Sequence, residues 1–305
     1  MKQEKIIVGE GTKYPLQGML VLPEGTGKCP AVVFVHGSGS SNMDEKVMKM
    51  TPFKDIAEGL AKRGIASVRY DKRSYAHGPK MIRETITVKE ETIEDAILAA
   101  DLLRRDSRID PEKIFIVGHS MGAMLSPRID AEGGNFAGLI LMAGSLRKLE
   151  DILLYQLEEM MESSPKFTRW ILKKQAAKYE TLFRGLYDLT DEEAKQVKAG
   201  GGTTLYYFKE MGEHPASSYL EATNKPILIM QGAMDFQCKA DLDFAAYQKL
   251  LGNRENVTFR LYDGLNHCFA KALSGNISDS KKEYSVRRDV EPAVIDDIAN
   301  WIKAQ

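Results

Sequence analysis

Apolar and polar positions along this chain follow two rhythms, one of strands and one of helices. Lys5-Ile-Ile-Val8 and Leu16-Gln-Gly-Met-Leu-Val-Leu22, parted by Gly9, Gly11 and Pro15, predict an opening antiparallel pair. Ala31-Val-Val-Phe-Val35 and Ile65-Ala-Ser-Val-Arg-Tyr70 are nearly unbroken apolar runs of strand length, the pattern of strands covered on both faces. Between them Phe53, Ile56, Ala57 and Leu60 recur at helical spacing as far as Gly64, a residue suited to the left-handed turn that closes a helix. Residues 74–90 are polar and read as a loop, with Asp71 and Arg73 expected to pair and fix it. From Thr92 to Arg105, Ile93, Ala96, Ile97, Ala100 and Leu103 mark a second amphipathic helix. Strand patterns return at Ile114–Val117, Ala137–Ala143, Pro226–Gln231 and Val257–Tyr262, and a helix over Ala293–Ile302 closes the chain.

Strands alternating with helices require right-handed crossovers, so the pattern predicts an α/β fold with a doubly wound, mainly parallel eight-stranded sheet. The alternation stops near Leu146. From there to Thr223 only helical spacings occur: Leu149, Ile152, Leu153, Leu157 and Met160, then Trp170, Ile171, Lys174 and Ala177, then Asp191–Lys198. This predicts a core of residues 1–145 and 224–305, with 146–223 inserted as a helical cap over the carboxyl ends of the strands, where such sheets bind ligands. Met160, Met161, Trp170, Tyr206, Tyr207, Phe208 and Tyr219 are candidate pocket-liners, most of which are expected to serve packing alone. Gly200-Gly201-Gly202 is expected to be a flexible break between helices.

Two stretches carry chemistry. In the first, a strand run ends in Gly118-His-Ser-Met-Gly122 and continues as a helix. A serine on a sharp strand-to-helix turn exposes its hydroxyl, and the chain passes so near itself that the flanking positions, Gly118 and Gly122, must lack side chains. Ser120 is thus the candidate nucleophile, and the Met121 N–H, at a helix start, a candidate oxyanion donor. In the second, the strand ending at Val35 runs into His36-Gly37-Ser38-Gly39, a glycine-rich loop whose backbone N–H groups are unobstructed. No G-x-x-x-x-G-K-[ST] phosphate loop is present, and the Ser38 N–H is read as the second oxyanion donor.

Two further strands end near chemistry-bearing residues: Asp235 follows Pro226–Gln231, and His267 follows Val257–Tyr262. Asp241 and Asp263 compete with Asp235 for the acid. Among the histidines, His119 is fixed beside the nucleophile and expected to point elsewhere, His36 belongs to the glycine-rich loop, and His77 and His214 lie in polar or cap segments.

Composition narrows the partners. Forty-two basic against 43 acidic residues leave a net charge of −1, which does not favour nucleic acid or an anionic membrane as partner. No apolar run approaches the roughly 18 residues of a membrane span, and no secretory signal pattern opens the chain. Cys29, Cys238 and Cys268 lack C-x-x-C spacing, so neither a disulfide framework nor a metal site is expected. A cytoplasmic location, no cofactor, and an undetermined homo-oligomeric state complete this reading.

Ser120, Asp235 and His267 occur in the order nucleophile, acid, histidine, each after a parallel strand. That order, with the His36-Gly-Ser-Gly loop and the Gly118-His-Ser-Met-Gly elbow, resembles the α/β-hydrolase family over nearly the whole chain. Pro52-Phe-Lys-Asp-Ile-Ala57, Arg69-Tyr-Asp-Lys-Arg73 and Asp235-Phe-Gln237 look like the bacterial carboxylesterase branch akin to dienelactone-hydrolase-like and serine-aminopeptidase-like members. The resemblance implies acyl transfer, with Ser120 activated by His267, His267 oriented by Asp235, and a small-molecule ester as substrate. Alternatives of the same fold are a peptidase, a thioesterase, or a ligand-binding protein without catalysis.

Overall fold

The computed structural model describes residues 1–305 apart from 26, 82, 83 and 201. Eight strands form one sheet: β1 (Lys2–Val8), β2 (Leu16–Leu22), β3 (Cys29–Val35), β4 (Ala66–Tyr70), β5 (Ile109–His119), β6 (Leu139–Met142), β9 (Ile227–Gly232) and β10 (Val257–Tyr262). Their spatial order is β1-β2-β4-β3-β5-β6-β9-β10. Only the pairings β1 with β2 and β2 with β4 are antiparallel; every other neighbour is parallel.

The continuous apolar runs arise because the central strands are covered on both sides. Successive side chains of a strand face opposite ways, and Val33, Val35, Ile114 and Ile116 enter one buried cluster while Val32, Phe34, Phe115 and Val117 enter the other. Each fully buried side chain of this size contributes about 1.5–3 kcal/mol. Helices α3 (Glu94–Arg105) and α4 (Met121–Ile129) cover the first face, and α1 (Pro52–Ala61) and α12 (Pro292–Ala304) the second. α1 begins with a proline, whose missing N–H costs nothing in the first turn, and buries Phe53, Ile56, Ala57 and Leu60 as their spacing predicts.

The polar stretch expected to be a loop is in large part helical: α2 spans Arg73–Met81, and a π-helical turn, Lys89–Ile93, leads into α3. Residues 82 and 83 of that stretch lie outside the described residues. Only Arg73 and Met81 of α2 are buried, so the helix has no apolar face for periodicity to detect. Arg73 does not pair with Asp71. Its guanidinium donates to Asp95 Oδ2 at 3.0 Å and Oδ1 at 2.5 Å, and to Glu94, while Asp71 accepts the Met43 N–H at 2.8 Å.

Between β6 and β9 the chain forms α5 (Leu149–Ser163), α6 (Lys166–Phe183), α7 (Asp191–Gln196), α8 (Leu205–Glu213) and α9 (Ala216–Ala222). Thr190 and Glu193 cap α7 reciprocally, each side chain meeting the other's backbone N–H. A short hairpin of β7 (Lys198–Gly200) and β8 (Thr203–Thr204) interrupts the helices, a feature too brief for periodicity to reveal. Of the three glycines there, Gly200 ends β7 and Gly202 has φ +87°, and Gly201 lies outside the described residues. Trp170 is 55% exposed, stacked with Phe167 and capped by Lys174 Nζ. Tyr207 and Phe208 are buried. Helices α10 (Ala245–Leu251) and α11 (Ser280–Ser285) complete the fold. No described helix is long and apolar enough to cross a membrane.

Candidate active site

Ser120 lies between the last residue of β5 and the first of α4, with φ 54° and ψ −120°, a backbone conformation that costs a non-glycine residue of order 1–3 kcal/mol. Its N–H donates to Met142 O at 2.8 Å, tying the turn to β6. A methyl group at Gly118 would overlap the Gly122 carbonyl and Ser126 Oγ, and one at Gly122 would overlap the carbonyls of Val35 and His36. The two glycines therefore let strand, turn and neighbouring strand close on one another. Ser120 is half-buried whereas His119 and Met121 are buried, so the turn reaches the surface at Ser120. Met121 opens α4, where the first N–H groups have no intrahelical acceptor and the helix dipole favours negative charge. Other non-glycine residues with positive φ, Glu45, Ala143 and Phe269, lie on loops at this same edge.

Asp235 and His267 meet. His267 Nδ1 donates to Asp235 Oδ2 at 2.7 Å, and each residue is 4% exposed. Asp235 is held from every side: Gln231 Nε2 donates to Oδ2 at 2.8 Å, and the N–H groups of Gln237 and Cys238 donate to Oδ1 at 2.7 and 3.0 Å. With its Nδ1–H engaged, the imidazole presents Nε2 as an acceptor. The loop bearing it is braced by Asn266, whose Oδ1 accepts the N–H groups of Cys268 and Ala270 and whose Nδ2 donates to buried Glu283 at 2.6 Å. Asp241 and Asp263 are exposed and lie outside this pair. Among the described residues no hydrogen bond joins the Ser120 hydroxyl to His267. The elbow and the acid–imidazole pair share one sheet edge.

The glycine-rich loop passes beside the elbow. A methyl group at Gly37 would stand 3.1 Å from Ser120 Cβ. Burial pushes His36 down to about 4, so its ring is neutral at pH 7 and donates from Nε2 to Asn42 O at 3.0 Å, folding the loop back on itself. Ser38 and Gly39 are exposed. Cys238 and Cys268 are buried free thiols, and burial pushes both well above the ordinary cysteine value, which makes them poor nucleophiles.

Glu45 is a residue that sequence reasoning missed. It accepts the Gly37 N–H at 2.8 Å through Oε1 and meets His119 Nδ1 at 2.9 Å through Oε2, while His119 Nε2 donates to His267 O at 2.8 Å. The residue before the nucleophile thus links the glycine-rich loop to the backbone of His267. Burial opposes charge on both partners, but their mutual attraction prevails: His119 is raised and Glu45 lowered from its ordinary value. Glu45 sits in a polar stretch without periodicity, 74 residues from His119 (119 − 45), and nothing in the sequence pairs them.

The strand order, the strained serine between a central strand and a helix, and the histidine loop after the last strand define an α/β hydrolase. Residues 28–271 match the family model described as serine aminopeptidase, S33, and the chain belongs to that family. It is 34% identical over 300 residues to the esterase EstD of Thermotoga maritima, covering 98% of this chain and 67% of that protein. Est1E from Butyrivibrio proteoclasticus is similar in structure, with a TM-score of 0.58 at 13% identity over 99% of each chain. The proline iminopeptidase of Mycobacterium smegmatis reaches a TM-score of 0.60 at 14% identity, over 99% of this chain and 98% of that one. At these identities the two structures speak for the fold alone.

Proposed function

We propose that the protein is a serine hydrolase that cleaves carboxylic esters, of short to medium acyl chain, through an acyl-enzyme on Ser120. The observation that carries this reading is the buried Asp235–His267 pair at the sheet edge that also bears the strained Ser120 elbow. The similarity to the esterase EstD supports the ester as substrate.

In this mechanism His267 Nε2 takes the Ser120 proton as the hydroxyl oxygen attacks the acyl carbon, and Asp235 stabilises the imidazolium that results. The N–H groups of Ser38 and Met121 receive the tetrahedral oxyanion, each such donor contributing about 3 kcal/mol. His267 returns the proton to the leaving alcohol, and water, activated by the same imidazole, releases the acid from Ser120. His36, Gly37, Gly39, Gly118 and Gly122 shape the two loops and take no part in proton transfer. Residues 146–223 act as a cap that sets acyl and alcohol preference. Three free thiols suit a reducing compartment, and we place the protein in the cytoplasm.

Ser120→Ala is expected to abolish turnover of p-nitrophenyl butyrate while thermal melting is unchanged; retained turnover removes Ser120 from the mechanism. The family description favours a second reading, a peptidase. A panel of aminoacyl p-nitroanilides beside the esters separates the two, since an esterase turns over only the latter at an appreciable rate.

A further inference from the structure

Gly37 is held on both sides. Its N–H donates to Glu45 Oε1 at 2.8 Å and its carbonyl accepts from Lys72 Nζ at 2.9 Å. Lys72 is 1% exposed, a depth at which a lysine head group must be partnered. Its second partner is Glu91, whose Oε2 lies 3.5 Å from Nζ and also accepts from the Tyr207 hydroxyl at 2.7 Å. Tyr207 belongs to α8, within the helical insertion, and its hydroxyl is 3.7 Å from Met121 Sδ. A buried line, Tyr207 to Glu91 to Lys72, therefore runs from the insertion to the Gly37 carbonyl.

That carbonyl shares a peptide plane with the Ser38 N–H, and in a trans peptide the two point in opposite directions. Anchoring the oxygen to Lys72 fixes the direction of the N–H. Gly37 packs against Ser120 Cβ, so this plane stands beside the nucleophile. Ser38 and Gly39 themselves are exposed. A cation on the carbonyl also polarises the peptide and makes its N–H a stronger donor.

We propose that Lys72 is a positioning residue for the oxyanion hole, orienting and polarising the Gly37–Ser38 peptide, while Glu91, in the turn before α3, holds its ammonium and is itself held by Tyr207 of the insertion. The proposal rests on the assignment of Ser120 and the Ser38 N–H made above. The Tyr207–Glu91 hydrogen bond, the Glu91–Lys72 ion pair and the Lys72–Gly37 hydrogen bond thus connect the insertion to the oxyanion donor.

The test compares steady-state kinetics on p-nitrophenyl butyrate with inhibition by an alkyl trifluoromethyl ketone, which forms a tetrahedral adduct on the serine. Lys72→Met keeps the stem and removes the cation; kcat is expected to fall about 10- to 100-fold with KM little changed, and ketone affinity to fall by the same factor. Because this variant leaves Glu91 buried without its cation, Lys72→Met/Glu91→Gln is measured beside it, with thermal melting as the check of fold. A folded variant with wild-type kcat and ketone affinity overturns the proposal, and so does a fall in kcat with ketone affinity intact. Ser120→Ala is run in parallel: turnover there defeats the hydrolase reading itself, whereas its absence together with normal Lys72 variants defeats only this inference.

Discussion

At the scale of single residues, the site depends on groups that do no chemistry. The Glu45–His119 pair ties the Gly37 N–H to the His267 carbonyl, and its charges make that tie sensitive to pH. Glu45 is lowered from 4.5, so its share of stability is present above that value and lost as pH falls through the lower folded value. His119 is raised from 6.5, so its share is full below that value and lost as pH rises through the higher folded value. The pair contributes most between 4.5 and 6.5. Glu45→Gln is therefore expected to lower the melting temperature most within that window and less at alkaline pH; a difference independent of pH contradicts the ion pair. The placement of Ser120, Asp235 and His267 at one sheet edge was legible in the sequence because each follows a parallel strand. Glu45 and Lys72 were not, since a lone charge in a polar run has no pattern to mark the partner it will find.

Among the elements, the elbow shows how little freedom the turn allows. Gly122 touches the backbone of the neighbouring strand, so Gly122→Ala forces β3 and α4 apart. That substitution is expected to cost at least about 2 kcal/mol in urea unfolding, and wild-type stability would contradict the packing described. The central strands could be read from the chain because both their faces are covered and they run nearly unbroken in apolar residues, and α1 and α3 because their buried positions recur every 3.6 residues. Helix α2 could not, because it is held by the salt links of Arg73 to Asp95 and Glu94 in place of an apolar face. The β7–β8 hairpin has too few residues to show alternation. Trp170 fits helical spacing, yet spacing alone does not tell which side of α6 meets the rest of the molecule, and the ring is exposed.

At the scale of the whole molecule, a doubly wound sheet gathers the ends of β3, β5, β9 and β10 along one edge, and residues far apart in sequence become neighbours there. The order of apolar runs was sufficient to foresee that gathering, whereas the approach of one side chain to another depends on loop conformations fixed by tertiary bonds such as those of Asn266 and Glu283. In the proposed mechanism Ser120 is made nucleophilic by the imidazole of His267. The most direct measurement is peptide mapping by mass spectrometry after exposure to a fluorophosphonate. One adduct is expected, on the peptide containing Ser120, and it disappears in His267→Ala; labelling elsewhere, or undiminished labelling of Ser120 in that variant, contradicts this mechanism.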